Sequence, residues 1–193
     1  MTHGEHEHVH TYDWRAELEG MRQGATHFYL NEFDWKGHGP PPGFAGPRYF
    51  PPAPEWRQLG VLDGQSEGAG SQVTLATSTG QLRQMVVAGE VVVTFEAIEY
   101  RPTGFLTTDG AGYQVIFLPF RDETSGKETY GAGRYVEIPY EQGETEIEVD
   151  FNLAYNPSCA FSPAYDCPFP PPGNRLAIAI RAGEMLPFEK SGQ

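Results

Sequence analysis

Residues 144–151 read Glu144-Thr145-Glu146-Ile147-Glu148-Val149-Asp150-Phe151. Acidic and larger uncharged side chains alternate at every step. A period of two marks a strand with one face in a core and the other in water. The pattern predicts a strand over Thr145–Phe151, with Thr145, Ile147, Val149 and Phe151 facing in and Glu144, Glu146, Glu148 and Asp150 facing out. Val115-Ile116-Phe117-Leu118 is apolar throughout and reads as a strand covered on both faces. Other β-patterned runs bounded by turn formers fall at Arg57–Asp63, Gln72–Ser78, Leu82–Ala88, Val91–Tyr100, Phe105–Thr108, Tyr113–Phe120, Gly133–Ile138 and Leu176–Arg181. Gly89 reads as the turn of a hairpin between Val86-Val87-Ala88 and Glu90-Val91-Val92-Val93, and Asp109-Gly110 as another. About nine short antiparallel strands define a mainly β protein, a β-sandwich or barrel.

One N-terminal helix precedes the strands. Trp14, Leu18 and Met21 recur at helical spacing over Tyr12–Arg22, Thr11 or Asp13 can cap the start, and Gly24 is the expected stop. Between Phe33 and Pro54, Gly37, Gly39, Pro40, Pro41, Pro42, Gly43, Gly46, Pro47, Pro51 and Pro52 forbid a regular element. Trp35, Phe44, Tyr49 and Phe50 lie inside that segment, so it reads as a loop wrapped on the core rather than a linker. Residues 1–11 are polar and His-rich and read as a mobile tail, leaving 12–190 as a single domain. In a chain of 193 residues such a domain buries about 70 % of the surface of its unfolded chain and needs neither disulfide nor metal to fold.

Charge narrows the partners. Net charge is −13, with lysine only at Lys36, Lys127 and Lys190. A field of that sign repels nucleic acid and anionic lipid, so neither is expected as a partner. The acidic, lysine-poor surface suits work in high salt, where screening relieves self-repulsion, and suits an ordinary acidic cytosolic protein equally well. No apolar run approaches the roughly 20 residues of a spanning helix, and the N-terminal sequence carries no apolar h-region. The cytosol is the expected address, and there Cys159 and Cys167 are expected as free thiols.

The C-terminal half crowds polar and aromatic residues into loops. The strings FLPFRDETSGKETYGAGRY (117–135), DFNLAYNPSCAFSP (150–163) and CPFPPPGNRL (167–176), followed by Arg181-Ala182-Gly183-Glu184, resemble the DUF1684 family, a domain of unknown function widespread in bacteria and archaea. The resemblance is strongest over 115–186 and extends weakly to the Trp14 helix. It implies no activity. Gly173 departs from the family's usual Glu in the Pro-Pro-x-Asn-Arg stretch, so any role of that carboxylate is missing here.

Read from the residues themselves, these loops form the candidate site. Arg121, Arg134 and Arg175 each lie beside a turn, and a guanidinium fork suits a carboxylate or phosphate. Asp122, Glu128, Tyr130, Asp150, Asn152, Tyr155, Asn156 and Asn174 complete the set, with Tyr130, Tyr155 and Phe161 as walls and the asparagines as neutral hydrogen-bonders. Two readings follow. Either the segments 121–135, 150–161 and 174–175 enclose a pocket for a small anionic molecule, with or without transforming it, or the same residues only lock the loops of a structural or interaction module. In both readings the eleven residues gather in one cluster.

No cofactor or metal is expected. Gly131-Ala132-Gly133 lacks phosphate-loop spacing, no G-x-S-x-G occurs, and Cys159 and Cys167 are eight positions apart, unlike zinc or thioredoxin motifs. The two cysteines read as buried thiols, as a local disulfide or as metal ligands, and they are expected close enough to bridge without zinc. Asp122 with Glu128 would be the nearest acid/base pair. His3, His6, His8 and His10 could take up a metal adventitiously, while His27 and His38 read as structural.

Overall fold

The computed structural model describes residues 13–188. The His-rich tail and its metal-binding reading lie outside these residues. The first element is α1 (Trp14–Asn31), whose N-terminus is satisfied by the Asp13 carboxylate accepting from the N–H groups of Arg15 and Ala16 at 3.1 and 3.2 Å. The helix runs through Gly24 rather than stopping there. A mid-helix glycine costs only about 1 kcal/mol. The two turns beyond it carry Tyr29, which is buried against Phe33 and Phe161 with ring centroids 5.0 and 4.2 Å away. That contact is tertiary and offsets the local cost.

Eight antiparallel strands follow: β1 (Arg57–Asp63), β2 (Gln72–Ala76), β3 (Leu82–Phe95), β4 (Ile98–Tyr100), β5 (Thr103–Thr108), β6 (Gln114–Phe120), β7 (Arg134–Pro139) and β8 (Glu146–Asp150). They form one sheet ordered β7-β6-β5-β3-β1-β8, with β2 and β4 also paired to β3. The sheet curls until β7 lies near β8, a nearly closed barrel. The mainly β class with one N-terminal helix is therefore as the alternation implied, and β5 and β6 meet at the expected Asp109-Gly110 turn.

Two β assignments need correction. Gly89 makes no hairpin. It sits inside the 14-residue β3 at φ +148°, at a register shift between Val87 and Gly89, and a Cβ there would lie 2.4 Å from the Asp63 carbonyl oxygen. Either side of the bulge, β3 changes partner along one edge: β2 pairs with 82–86 and β1 with 90–92. The real turn comes later and divides the strand expected over Val91–Tyr100: Glu96 and Ala97 take φ of 50° and 62° between β3 and β4. The second correction is Leu176–Arg181, which forms no strand. Leu176, Ile180 and Ala182 are buried in the main core; Leu176 and Ile178 bond the backbone of Arg121 and Glu123, and Ile180 bonds the side chains of Arg134 and Asp122.

The core has two layers around β6. Ile116, Leu118 and Phe120 point into the barrel with Val91, Val136, Val149 and Phe151, while Phe117 packs on the opposite face with Tyr135, Phe105 and Leu75. Coverage on both faces explains the unbroken apolar run. A third cluster joins α1 to the Gly/Pro-rich segment through Tyr29, Phe33, Trp35 and Phe161. Ile147 and Val149 of β8, and Phe151 just after it, are buried as the alternation requires. Thr145 is exposed, and Asp150, expected outside, is buried because the chain turns into a 3-10 helix at Phe151–Leu153.

Candidate functional site

The eleven residues singled out in the sequence occupy several places. The deepest is at the start of β7. Arg134 is 1 % exposed, its Nη2 lies 3.3 Å from Asp122 Oδ2, and it donates to the carbonyls of Ile180 (2.9 Å), Glu184 (3.0 Å) and Ala182. The group spends its donors on the protein itself. Burial pulls the guanidinium below its ordinary pKa, with Asp122 and Glu184 opposing. Asp122 also shapes its own loop, its Oδ1 accepting from the N–H and hydroxyl of Thr124 and from the Ser125 hydroxyl, and its Oδ2 from the N–H of Ile180. Asn156 joins from the other side: its N–H donates to Glu184 Oε2 at 2.8 Å and its Nδ2 to the Met185 carbonyl at 2.8 Å.

Glu184 was missed as a site residue, although it ends the Arg181-Ala182-Gly183-Glu184 string. It is 3 % exposed, and burial pushes its carboxyl up to about 7, against the hydrogen bond from Asn156 and the charge of Arg134. Its Oε1 also receives a long contact from the Tyr49 hydroxyl, 3.5 Å away.

The remaining residues serve separate joints. Trp14 Nε1 donates to Asp150 Oδ2 at 2.7 Å, and Asn152 bonds both Asp150 and the backbone of Ala53. Asn174 stitches Thr103 and Pro119 together. Arg121 and Arg175 are neighbours through a parallel backbone bridge. Arg121 Nε donates to the Ala132 carbonyl, while the Arg175 side chain is 65 % exposed with Glu123 4.0 Å away. Glu128 pairs at the surface with Arg181, not with Asp122. Tyr130 points its hydroxyl at Cys159 Sγ, 4.0 Å away, and Tyr155 donates to Glu137 Oε1 at 2.7 Å. Asp122, Arg134 and Asn156 thus share one buried network; the others do not join it through any direct side-chain bond.

A groove lies on the outer face of the sheet. Its volume is about 360 Å³, and its floor is Phe117 of β6 with Tyr135 and Glu137 of β7. Tyr155, Pro157 and Ser158, residues 165–168, and Arg83 and Met85 of β3 complete its lining. The aromatic part is held rigidly. Tyr135 and Tyr155 exchange backbone hydrogen bonds of 2.9 Å each, their rings cross at 87°, and the Tyr135 hydroxyl donates to the Pro168 carbonyl at 2.6 Å. Burial raises both phenol pKa values, so both remain neutral donors. Of the eleven predicted residues only Tyr155 lines this groove. Glu137 was missed, although it is the one charge within Tyr135-Val136-Glu137-Ile138.

A second cavity of about 270 Å³ lies where β7 and β8 face each other without a ladder between them; α1 covers this seam with Trp14, Glu17, Leu18 and Met21. Among the described residues, no three His, Cys, Asp or Glu side chains gather as metal ligands, and no helix is long and apolar enough to cross a membrane.

Fold and site define a mainly β protein: a nearly closed antiparallel barrel with a helix over its seam and a Tyr-walled groove on one outer face. The same fold appears in the solution NMR structure of an uncharacterised protein of Haloarcula marismortui, 30 % identical, which aligns over 92 % of this chain and 97 % of that one with a TM-score of 0.69. No curated protein matches the sequence. The chain belongs to the DUF1684 family, described as a protein of unknown function, whose model matches residues 42–185.

Proposed function

We propose that this protein binds a small molecule in the groove walled by Tyr135 and Tyr155. The observation that carries the reading is a ligand-sized concavity of about 360 Å³ whose Tyr135–Tyr155 side is fixed by backbone pairing and whose lining mixes Phe117, Met85 and the tyrosines with Arg83, Glu137, Asp166 and the Thr107 and Thr108 hydroxyls. The ligand class differs from the anion suggested by the arginines. Arg83 is already engaged with Asp166, through the carbonyl at 2.9 Å and the carboxylate at 3.5 Å, which leaves Glu137 to set the local sign. A neutral or cationic planar molecule suits such a groove, with Glu137 and the Thr107 and Thr108 hydroxyls as acceptors. The polar loops 121–135, 150–161 and 174–175 then act mainly as its frame. The chain's net charge of −13 argues against nucleic acid or an anionic membrane as the partner. The two reduced cysteines fit the reducing cytosol.

The alternative, a structural or interaction module without a ligand, is favoured by one observation: Arg134 uses its donors internally. A thermal-shift screen against neutral, cationic and anionic small molecules separates the readings. A ligand at about 100 times its Kd stabilises by roughly 2.7 kcal/mol. The groove reading expects cationic or neutral hits whose shift disappears in Tyr155→Ala and weakens in Glu137→Gln. Anionic hits lost in Arg121→Ala or Arg175→Ala would replace it with the arginine-loop pocket, and the absence of any hit would favour the module.

A further inference from the structure

Cys159 and Cys167 are the chain's two cysteines, both reduced and both buried. Cys159 sits in the short 3-10 turn Ser158–Ala160, and Cys167 directly precedes the bridge between Thr77 and Pro168. The loop between them folds back through Ser162 N–H to Ser158 O at 3.0 Å and Tyr165 N–H to Ser162 O at 3.1 Å. This brings the sulfurs together: the backbone N–H of Cys159 donates to Cys167 Sγ at 3.4 Å. Hydroxyls surround the pair. Tyr130 points at Cys159 Sγ from 4.0 Å, and Ser78 accepts from the Cys167 N–H at 3.0 Å. Cys167 and Ser158 line the groove, which supplies an entry path from solvent.

This is an arrangement for chemistry between the two sulfurs. Donors around one sulfur favour its thiolate, and a second thiol in contact can displace whatever that thiolate acquires. The neighbouring Cys167 sulfur draws the Cys159 thiol down while its own is pushed up, and the Tyr130 hydroxyl, 4.0 Å from Cys159 Sγ, also favours the thiolate there. Cys159 is the nucleophile of the pair by these contacts, and Cys167 the resolving group.

We propose that Cys159 and Cys167 form a hydroperoxide-reactive dithiol that closes reversibly to a disulfide. The Cys159 thiolate attacks one peroxide oxygen, the O–O bond breaks, and the departing alkoxide or hydroxide takes a proton to leave as alcohol or water. Cys159 is then a sulfenic acid. Cys167 Sγ attacks Cys159 Sγ, the S–O bond breaks, and water leaves with the Cys167 proton. The dithiol loses two electrons and the peroxide gains two. Two equivalents of a low-molecular-weight thiol restore the pair and depart as their own disulfide. The groove serves only as an approach, so the proposal does not depend on its also binding a small molecule.

The test uses the full chain, reduced and then freed of reductant, with one equivalent of hydrogen peroxide at pH 7. The expected result is a monomer that has lost two hydrogens in intact mass, has no titratable thiol, and recovers both with dithiothreitol. Cys167→Ser should stop at a sulfenic acid on Cys159, trapped by dimedone, and Cys159→Ser should react at least about tenfold more slowly. Circular dichroism checks both variants for folding; if either fails, the wild-type thiol count and mass decide alone. Retention of both thiols, disulfide-linked dimers, or equal reactivity of the two folded variants overturns the proposal.

Discussion

Arg134 and Asp122 meet at 3.3 Å inside the protein, with side chains 1 % and 0 % exposed. The pair joins β7 to the loop after β6, and through the carbonyls of Ile180, Ala182 and Glu184 it anchors a chain segment that has no ladder of its own. An ion pair this deep gains little over an apolar pair of equal volume, but half of it is a liability.

Arg134→Ala should therefore cost about 3–5 kcal/mol, since it leaves the Asp122 charge buried and three carbonyls without their donor. The double variant Arg134→Met with Asp122→Asn should recover much of that loss. Urea unfolding of the three proteins measures both effects. A loss below about 1 kcal/mol in the single variant would place the pair among ordinary surface bridges.

Glu184 predicts a pH dependence. Its folded pKa of about 7 lies above the ordinary 4.5 because the carboxyl is buried. Below pH 4.5 both folded and unfolded states hold the proton, and its contribution to stability is fully present. Between about pH 4.5 and 7 the unfolded state ionises while the folded state does not, so stability falls, and above 7 the loss is complete. At 1.36 kcal/mol per unit the loss amounts to about 3 kcal/mol. Glu184→Gln should remove this slope, so the stability difference between variant and parent should shift in the variant's favour by that amount from pH 4 to pH 8. A difference that stays flat across the range refutes the assignment.

Trp14→Phe removes the indole N–H that reaches Asp150 at 2.7 Å and ties α1 across the seam between β7 and β8. The donor serves a carboxylate in a partly buried setting, so the expected cost is about 1.5–3 kcal/mol. Hydrogen exchange should show faster opening of α1 than of β6. Unchanged exchange in the helix would mean that its third cluster, around Tyr29, holds it alone.

Gly89→Ala tests the continuity of β3. The new methyl group would meet the Asp63 carbonyl at 2.4 Å in a backbone conformation that only glycine adopts freely. A destabilisation of about 1–3 kcal/mol is expected for the backbone strain alone, with more if β1 is displaced. A neutral result in chemical denaturation would restore the hairpin that the sequence suggested.

The elements that were legible are those written in short-range periodicity. The alternation around Ile147 and Val149, the continuous apolar run of β6, the Asp109-Gly110 turn and the start of α1 at Asp13 each depend on residues within a few positions of one another. The eleven candidate residues were legible as groups needing partners, but not as to which partners.

From the sequence alone came the β class, the single helix, the loop packed on the core and the family. It took the folded chain to show that β3 continues through Gly89, that α1 outruns Gly24, and that Leu176–Arg181 is held by the backbone of Arg121 and Glu123 and the side chains of Arg134 and Asp122 without joining the sheet. The folded chain also brings Arg83, Phe117, Tyr135, Tyr155 and Cys167 round one groove. The reason is physical. Periodicity records which face of an element avoids water, a property of neighbours in the chain. Which carbonyl meets which guanidinium, and whether a local cost such as a mid-helix glycine is offset, depends on groups tens of residues apart whose separation is set only when the sheet closes.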